Sequence, residues 1–240
     1  MRGRRSGVWR GDINIRGQGN MRHWVVWLGA VVVIASASRH SVQASTGLQQ
    51  GLAWSGTPAV SEAGQALARR VLESGGHGGL PFAIVDKRAA LIVVYRGNGS
   101  LAGVSSALLG LTPGDHSAPG VGERAQQARL RISDRTTPAG RFESEPGHDL
   151  NGEALVWIDY DNALAIHRLR PAPLRERRPQ RLASAHARDK RISAGCVVVP
   201  GAFYSNVVEP ILGRSRGIVY VMPEDSPWQT LWQDLAKREP

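Results

Sequence analysis

Cys196 is the residue whose chemistry most needs an explanation, because it is the only cysteine in a chain of 240 residues. It follows Ser193, Ala194 and Gly195, and the glycine permits a sharp turn of the backbone. Such a turn can direct backbone N–H groups near Gly195 and Cys196 toward an oxyanion, while a neighbouring base activates the thiol. The pattern therefore indicates acyl-transfer chemistry at Cys196. A small buried or incidental cysteine is the alternative that the residue type alone leaves open.

Histidine is the usual proton acceptor for a nucleophilic thiol. Five histidines lie beyond residue 44, and four of them fall in Gly-rich or polar segments: His77, His116, His148 and His186. His167 differs because it ends the apolar run 163–166, so we predict it at the end of a strand, where a rigid scaffold could hold a base. His167 is therefore the candidate base for Cys196. His186 is an alternative base, and a packed His167 without a catalytic role is the other alternative.

The segments that must position this pair are mostly short, β-branched apolar runs, which are typical of strands. We predict strands at 81–85, 89–95, 101–109, 155–159, 163–169 and 217–222, while segment 192–199 carries the cysteine. Helices are predicted over 62–72 (capped by Ser61), 202–212 and 228–236, and Pro210 is expected to kink or end the second of these. The sequence therefore predicts one mainly β domain with small peripheral helices and no internal repeat.

A long polar insertion, 171–190, separates the histidine from the cysteine. It contains arginine at positions 175, 177, 178, 181 and 188. A polar segment of this length inside a compact domain is more often functional or mobile than structural. Its role is not decided by the sequence.

The first 44 residues are expected to direct export. Residues 24–37 form an apolar stretch of 14 residues with Arg22 before it and Val42-Gln43-Ala44 after it, the pattern of a secretory signal cleaved after Ala44. An uncleaved membrane anchor is the alternative. Residues 1–20 fit no part of a signal, and we predict that they are a gene-model extension before a start at Met21.

The charge and composition exclude several functional classes. Residues 1–44 carry seven basic residues and one acidic residue, so their removal lowers the formal charge from +10 to +4, which does not indicate nucleic-acid binding. We find no metal-ligand cluster and no phosphate- or dinucleotide-binding loop, so no metal or cofactor is expected. After the signal (21–44) we predict a leader and short helix (45–80), a catalytic domain (81–224) and a C-terminal helix (225–240).

Four motifs occur along this predicted domain in a fixed order. They are AIVDKRAALIVVY at 83–95, TPAGRF at 137–142, AIH at 165–167 and SAGC at 193–196. This order resembles the L,D-transpeptidase catalytic domain, the YkuD-like family, over about 81–224. The resemblance implies a β-rich, sandwich-like fold built around the cysteine. It also implies that Cys196 is the nucleophile and His167 the base, with Ser193 and Gly195 shaping the oxyanion loop.

The chain departs from the family pattern in several places. Arg168 follows the histidine where a small residue is common, Val198 stands where Arg or Asn is usual, and Ala194 replaces a frequent polar or aromatic residue. The interval of 29 residues between His167 and Cys196 is also longer than usual. Since a guanidinium binds carboxylates in a bidentate manner, we predict that arginines anchor the substrate instead: Arg168, Arg170 and Arg191. The alternative is that these arginines only solvate a loop.

Enzymes of this family cleave the bond before the terminal D-residue of a peptidoglycan tetrapeptide stem and pass the acyl group to an amine of a neighbouring stem. The resemblance therefore implies an exported cysteine L,D-transpeptidase of the periplasm or cell envelope, with peptidoglycan stems as its partners. One alternative is a hydrolase of the same fold, an L,D-carboxypeptidase or amidase acting on peptidoglycan or wall-linked protein. The other is a non-catalytic wall-binding domain. The acyl acceptor is not decided by the sequence, and membrane attachment is expected only if the signal is uncleaved.

Overall fold

The computed structural model describes residues 58–231. The predicted gene-model extension, the signal and most of the leader lie outside the described residues, as does the end of the predicted C-terminal helix. The described chain is mainly β, as predicted. Its strands are β1 (Phe82–Asp86), β2 (Leu91–Tyr95), β3 (Leu101–Ser106), β4 (Leu109–Gly110), β5 (Gly140–His148), β6 (Ala154–Asp159), β7 (Leu164–Arg168), β8 (Arg191–Ser193), β9 (Val197–Val199) and β10 (Gly217–Val221).

The helices are short and lie between or before the strands. They are α1 (Glu62–Ser74), α2 (Val121–Gln126), α3 (Arg178–Ala183), α4 (Gly201–Phe203) and α5 (Glu209–Ile211), with a π-helical segment at Tyr204–Val208 and 3-10 turns at Ile132–Asp134, Leu174–Glu176 and Ala187–Lys190. The predicted cap of α1 is confirmed, since the Ser61 hydroxyl accepts from the Gly64 N–H at 3.0 Å. Within residues 58–231, no helix has both the length and the hydrophobicity needed to cross a bilayer.

Eight strands form one sheet in the order β3-β2-β1-β10-β5-β6-β7-β9. The pairs β1–β10 and β7–β9 are parallel, and the other neighbours are antiparallel. Beyond β9, Leu108 and Val198 exchange backbone hydrogen bonds of 2.8 and 2.9 Å, so the chain that follows β3 meets the far edge of the sheet. The sheet therefore nearly closes on itself, and little strand edge remains unpaired at this seam.

Both faces of the central strands are covered, which explains why β1, β2 and β10 are apolar at nearly every position. On β1, Ala83 and Val85 pack on one face while Phe82 and Ile84 pack on the other. The first face is covered by the segment that includes Phe203 and Val208, and the second by α1. This double burial holds the sheet as a rigid support for the residues at its β7–β9 edge.

Two predicted elements differ from the structure. The predicted strand 101–109 is interrupted after Ser106. Segment 202–212 is helical but contains the π-helical turn, and Pro210 lies in the first turn of α5 rather than ending the helix at its own position. Local apolar patterns do not reveal these interruptions, because the flanking residues remain buried.

Candidate functional site

The turn between β8 and β9 brings Ser193, Gly195 and Cys196 together. The Ser193 hydroxyl donates to the Cys196 carbonyl at 2.6 Å and accepts from the Gly195 N–H at 3.1 Å. Gly195 has a φ of 127°, and a Cβ at this position would meet the Thr136 carbonyl oxygen at 2.9 Å. Glycine is thus required here both by backbone conformation and by space.

Strand register brings His167 close to the chain that follows Cys196. Ile166 lies opposite Val197 and His167 opposite Val198, and the side chains of Ile166 and Val197 both belong to the core. Because side chains alternate along a strand, His167 and Val198 face the other way. Cys196 directly precedes β9, and its Sγ lies 3.5 Å from the carbonyl oxygen of Ala163, the residue before β7. The two predicted catalytic residues therefore lie on or beside adjacent strands, and their pairing as nucleophile and base remains a prediction.

The hydrogen bonding of His167 selects one tautomer. Nδ1 lies 2.9 Å from the Arg168 carbonyl oxygen, which can only accept, so Nδ1 carries the proton and Nε2 keeps its lone pair. Burial lowers the pKa of His167 below its usual value, and the positive charges of Arg170 and Arg178 lower it further. The bond to Arg168 and the charge of Glu153 oppose this shift without reversing it. At neutral pH the ring is therefore neutral and able to accept a proton at Nε2.

The thiol of Cys196 is also neutral at rest. Its Sγ donates to the Ala163 carbonyl oxygen at 3.5 Å, and burial raises the pKa of the thiol. Backbone N–H groups of Ala165 and of Cys196 itself, together with the charge of Arg170, favour the thiolate but do not overcome burial. If His167 is the base for Cys196, as predicted, a neutral thiol and a neutral imidazole require proton transfer to accompany nucleophilic attack rather than precede it.

The turn that offers the Ala163 carbonyl is tightly packed. Ala163 adopts a φ of 55°, a left-handed conformation that is uncommon for a residue with a side chain. Against this turn lies Gly122 of α2, where a Cβ would stand 1.7 Å from the Asp161 carbonyl oxygen. Helix α2 and the β6–β7 turn therefore fix each other at the side of the thiol.

The three arginines predicted to bind substrate have carboxylate partners within the protein. Arg168 pairs with Glu153, and Arg170 lies 2.8 Å from Asp149 and 2.9 Å from Glu153. These two arginines lie just beyond His167 on the chain, whereas Arg191 pairs with Glu224 and donates to the Lys87 carbonyl at 3.2 Å. Arg170 is the arginine whose charge influences both His167 and Cys196. A substrate-binding role for the three remains a prediction.

The Arg-rich insertion packs onto the domain through apolar contacts of Leu182 and Ala187. Leu182 of α3 is buried in a small cluster with Leu108 and Val198. The apolar side chain at position 198 thus gives the insertion a packing surface next to the cysteine turn. His186 is exposed, next to the 3-10 turn that ends the insertion. Three exposed arginines of the insertion have no ion pair among the described residues: Arg175, Arg177 and Arg188.

Sequence reasoning assigned no role to Thr137, although TPAGRF was part of the recognised order. The structure buries Thr137 completely and places its hydroxyl 2.6 Å from the Gly195 carbonyl oxygen. The two residues are 58 positions apart, so no local pattern predicts the contact. A threonine before a proline, within TPAGRF, was the only signal in the sequence.

Two cavities of the described residues lie away from Cys196 and His167. A cavity of about 410 Å³ is lined by residues that include His116, Arg141 and Phe142, and another of about 290 Å³ is lined by residues that include Asp86 and Trp228. Cys196 and His167 line neither of the two. Within residues 58–231, no group of three or more His, Cys, Asp or Glu side chains is placed to hold a metal ion.

Comparison with known proteins finds only distant structural likeness. No protein-family model matches the chain, and no curated protein sequence matches it. One similar solved structure is the helical cell shape determining protein Pgp2 from Campylobacter jejuni, with 15% identity and a TM-score of 0.41 over 62% of this chain and 49% of that one. Another is the Ldtfm-avibactam carbamoyl enzyme, with 16% identity and a TM-score of 0.34 over 60% of this chain and 49% of that one. The chain thus spans about half the length of each.

Proposed function

We propose that this chain is an exported cysteine acyltransferase of the L,D-transpeptidase type, acting on peptidoglycan peptide stems. The observation that supports the proposal is the parallel pairing of β7, which carries His167, with β9, which directly follows Cys196, together with a hydrogen bond that leaves the Nε2 lone pair of His167 available. The ordered motifs supply the substrate class, since they resemble those of enzymes that act on such stems. Export and a location in the envelope follow from the predicted signal at 21–44.

Acylation begins when His167 Nε2 takes the proton from the Cys196 thiol as sulfur attacks the amide carbonyl before the terminal D-residue. A bond forms between sulfur and carbon, and the backbone N–H of Cys196 donates to the oxyanion that develops. The imidazolium then gives its proton to the nitrogen of the departing D-residue as the carbon–nitrogen bond breaks. The product is a thioester on Cys196 and a free D-amino acid.

Deacylation repeats the same steps with a new nucleophile. An amine of a neighbouring stem loses a proton to His167, attacks the thioester, and displaces the thiolate, which recovers its proton from the imidazolium. A cross-linked dimer results. If water takes the place of the amine, the product is a shortened stem, and the enzyme is an L,D-carboxypeptidase.

The test is incubation of the purified chain, without its predicted signal, with tetrapeptide-bearing muropeptides, followed by mass spectrometry of the products. Cys196→Ser is the matched control because it keeps the size and the hydrogen bonds of the side chain. Cross-linked dimers that lack one terminal D-residue and require the thiol support transpeptidation. Shortened stems without dimers, formed only when the thiol is present, would identify a hydrolase instead of a transpeptidase. The absence of turnover by both the native chain and Cys196→Ser would contradict the proposal.

A further inference from the structure

Thr137 stands at the centre of a buried hydrogen-bonded bridge beneath the cysteine turn. Its hydroxyl accepts from the Gly110 N–H at 2.9 Å and donates to the Gly195 carbonyl at 2.6 Å. Both bonds are buried, so each partner would be left without water if the hydroxyl were removed. Thr137 therefore ties the β4 segment to the turn that carries the nucleophile.

The bond to Gly195 also fixes the direction of the Cys196 N–H. The carbonyl of Gly195 and the N–H of Cys196 belong to one planar peptide unit and point in opposite directions when the bond is trans. The chain has no cis peptide bonds among its described residues. By holding the carbonyl on one side, Thr137 aims the Cys196 N–H toward the other side, near the Cys196 sulfur.

Of the two N–H groups expected to meet an oxyanion, the structure leaves one available. The Gly195 N–H already donates to the Ser193 hydroxyl at 3.1 Å. The Cys196 N–H donates to no backbone or side-chain oxygen of the described residues. When the Cys196 sulfur attacks a carbonyl carbon, the stabilisation of the resulting oxyanion by this turn would therefore depend on the direction of the Cys196 N–H alone.

Lys87 holds the backbone of Thr137 in place. Its ammonium group is fully buried and donates to the Thr137 carbonyl at 3.0 Å, the Gly114 carbonyl at 2.6 Å and Asp115 at 2.6 Å. Burial opposes ionisation of Asp115, but the bond from Lys87 and the backbone N–H groups of Glu224 and Asp225 lower its pKa overall and keep this carboxylate charged. A buried ion pair with this many directed bonds holds the segment that presents Thr137 in one geometry.

We propose that Thr137 is a positioning residue that aims the Cys196 N–H at the oxyanion of acyl transfer, with Lys87 as its anchor. This inference rests on the proposed function, because it assumes a carbonyl substrate. If the inference holds, loss of the Thr137 hydroxyl should affect acylation of the Cys196 sulfur but not its alkylation. Acylation develops an oxyanion and needs the aimed N–H, whereas alkylation by iodoacetamide is a displacement at saturated carbon and needs only the thiolate.

The test measures both reactions in Thr137→Val, which keeps the shape of the side chain and removes the hydroxyl. Acylation is followed as the burst of p-nitrophenol from p-nitrophenyl acetate, an activated ester that requires no peptide stem. We expect acylation to fall about 10- to 100-fold, less than the loss reported for deleting an oxyanion donor, and alkylation to change less than about threefold. Thr137→Ser should restore acylation, because it restores the hydroxyl.

Thr136→Val is the matched control, since Thr136 is also buried and its hydroxyl makes no hydrogen bond to the described residues. It should leave both rates unchanged. If Thr137→Val does not fold, as judged by circular dichroism, Thr137→Ala takes its place and leaves room for water. Equal loss of acylation and alkylation, or no loss of acylation, overturns the inference. A selective loss with the ester, in a protein that turns over no stem, supports the inference while contradicting the proposed function.

Discussion

The conformation of Gly195 gives the sharpest test of the cysteine turn. Replacing it with alanine forces a side chain onto a backbone with φ of 127° and puts a Cβ 2.9 Å from the Thr136 carbonyl oxygen. A residue held in such a region costs about 1–3 kcal/mol, before the carbonyl has to move. At about 2 kcal/mol, a domain of this size should melt about 4–8 °C lower.

The assay is thermal and urea unfolding of Gly195→Ala beside Gly201→Ala. Gly201 begins α4, has no positive φ, and has open space where a Cβ would stand. Its replacement should leave stability unchanged or slightly higher. Because a small displacement of a nucleophile can cost about 100-fold in rate, Gly195→Ala should also acylate far more slowly. Equal unfolding midpoints for the two variants would refute the account of the turn.

Three further predictions concern the base, the insertion and its surface. Since neutral His167 accepts the proton and burial lowers its pKa, kcat/KM should fall as the pH drops, with a midpoint lower than that of an ordinary histidine. In His167→Gln this acid limb should vanish and the rate should fall about 10²- to 10⁴-fold. Leu182→Ala should destabilise the protein to urea by about 2 kcal/mol, whereas Leu174→Ala, at a residue that is 95% exposed, should not. The arginines of the insertion without an ion pair among the described residues are Arg175, Arg177 and Arg188. Replacing these three with glutamine should raise KM for polymeric peptidoglycan several-fold at low salt, and about 1 M salt should erase the difference. The control Arg214→Gln should leave KM unchanged. A difference in KM between the native chain and this triple variant that persists in high salt would indicate a changed structure of the insertion rather than the loss of its charge.

Local patterns in the sequence were sufficient for much of the sheet. The cap at Ser61, the β1–β2 hairpin and the strand that ends near His167 each follow from a few neighbouring residues, and the structure confirms them. The parallel pairing of β7, which carries His167, with β9, which follows Cys196, joins segments that are distant in sequence. The prediction that Cys196 and His167 act together came from the order of the four motifs and not from any single motif.

Contacts between distant segments could not be predicted. Lys87 stands in a polar hairpin turn, where a lysine is ordinarily exposed, yet three oxygens from remote loops bury it. Likewise Val198 packs against Leu182 of the insertion, a contact that the sequence does not reveal. Composition also failed to show that this insertion contains a helix, because its one anchoring leucine is hidden among arginines.

The central claim is that Cys196 forms a thioester with a peptide stem. The most direct measurement is the intact mass of the protein after brief reaction with a tetrapeptide-bearing muropeptide and quenching in acid, for the native chain and for Cys196→Ser. The account predicts a thiol-dependent adduct with the mass of the stem without its terminal D-residue, which accumulates more slowly in His167→Gln. A native chain that gains no adduct while the muropeptide is consumed, or an adduct that also forms on Cys196→Ser, would contradict it.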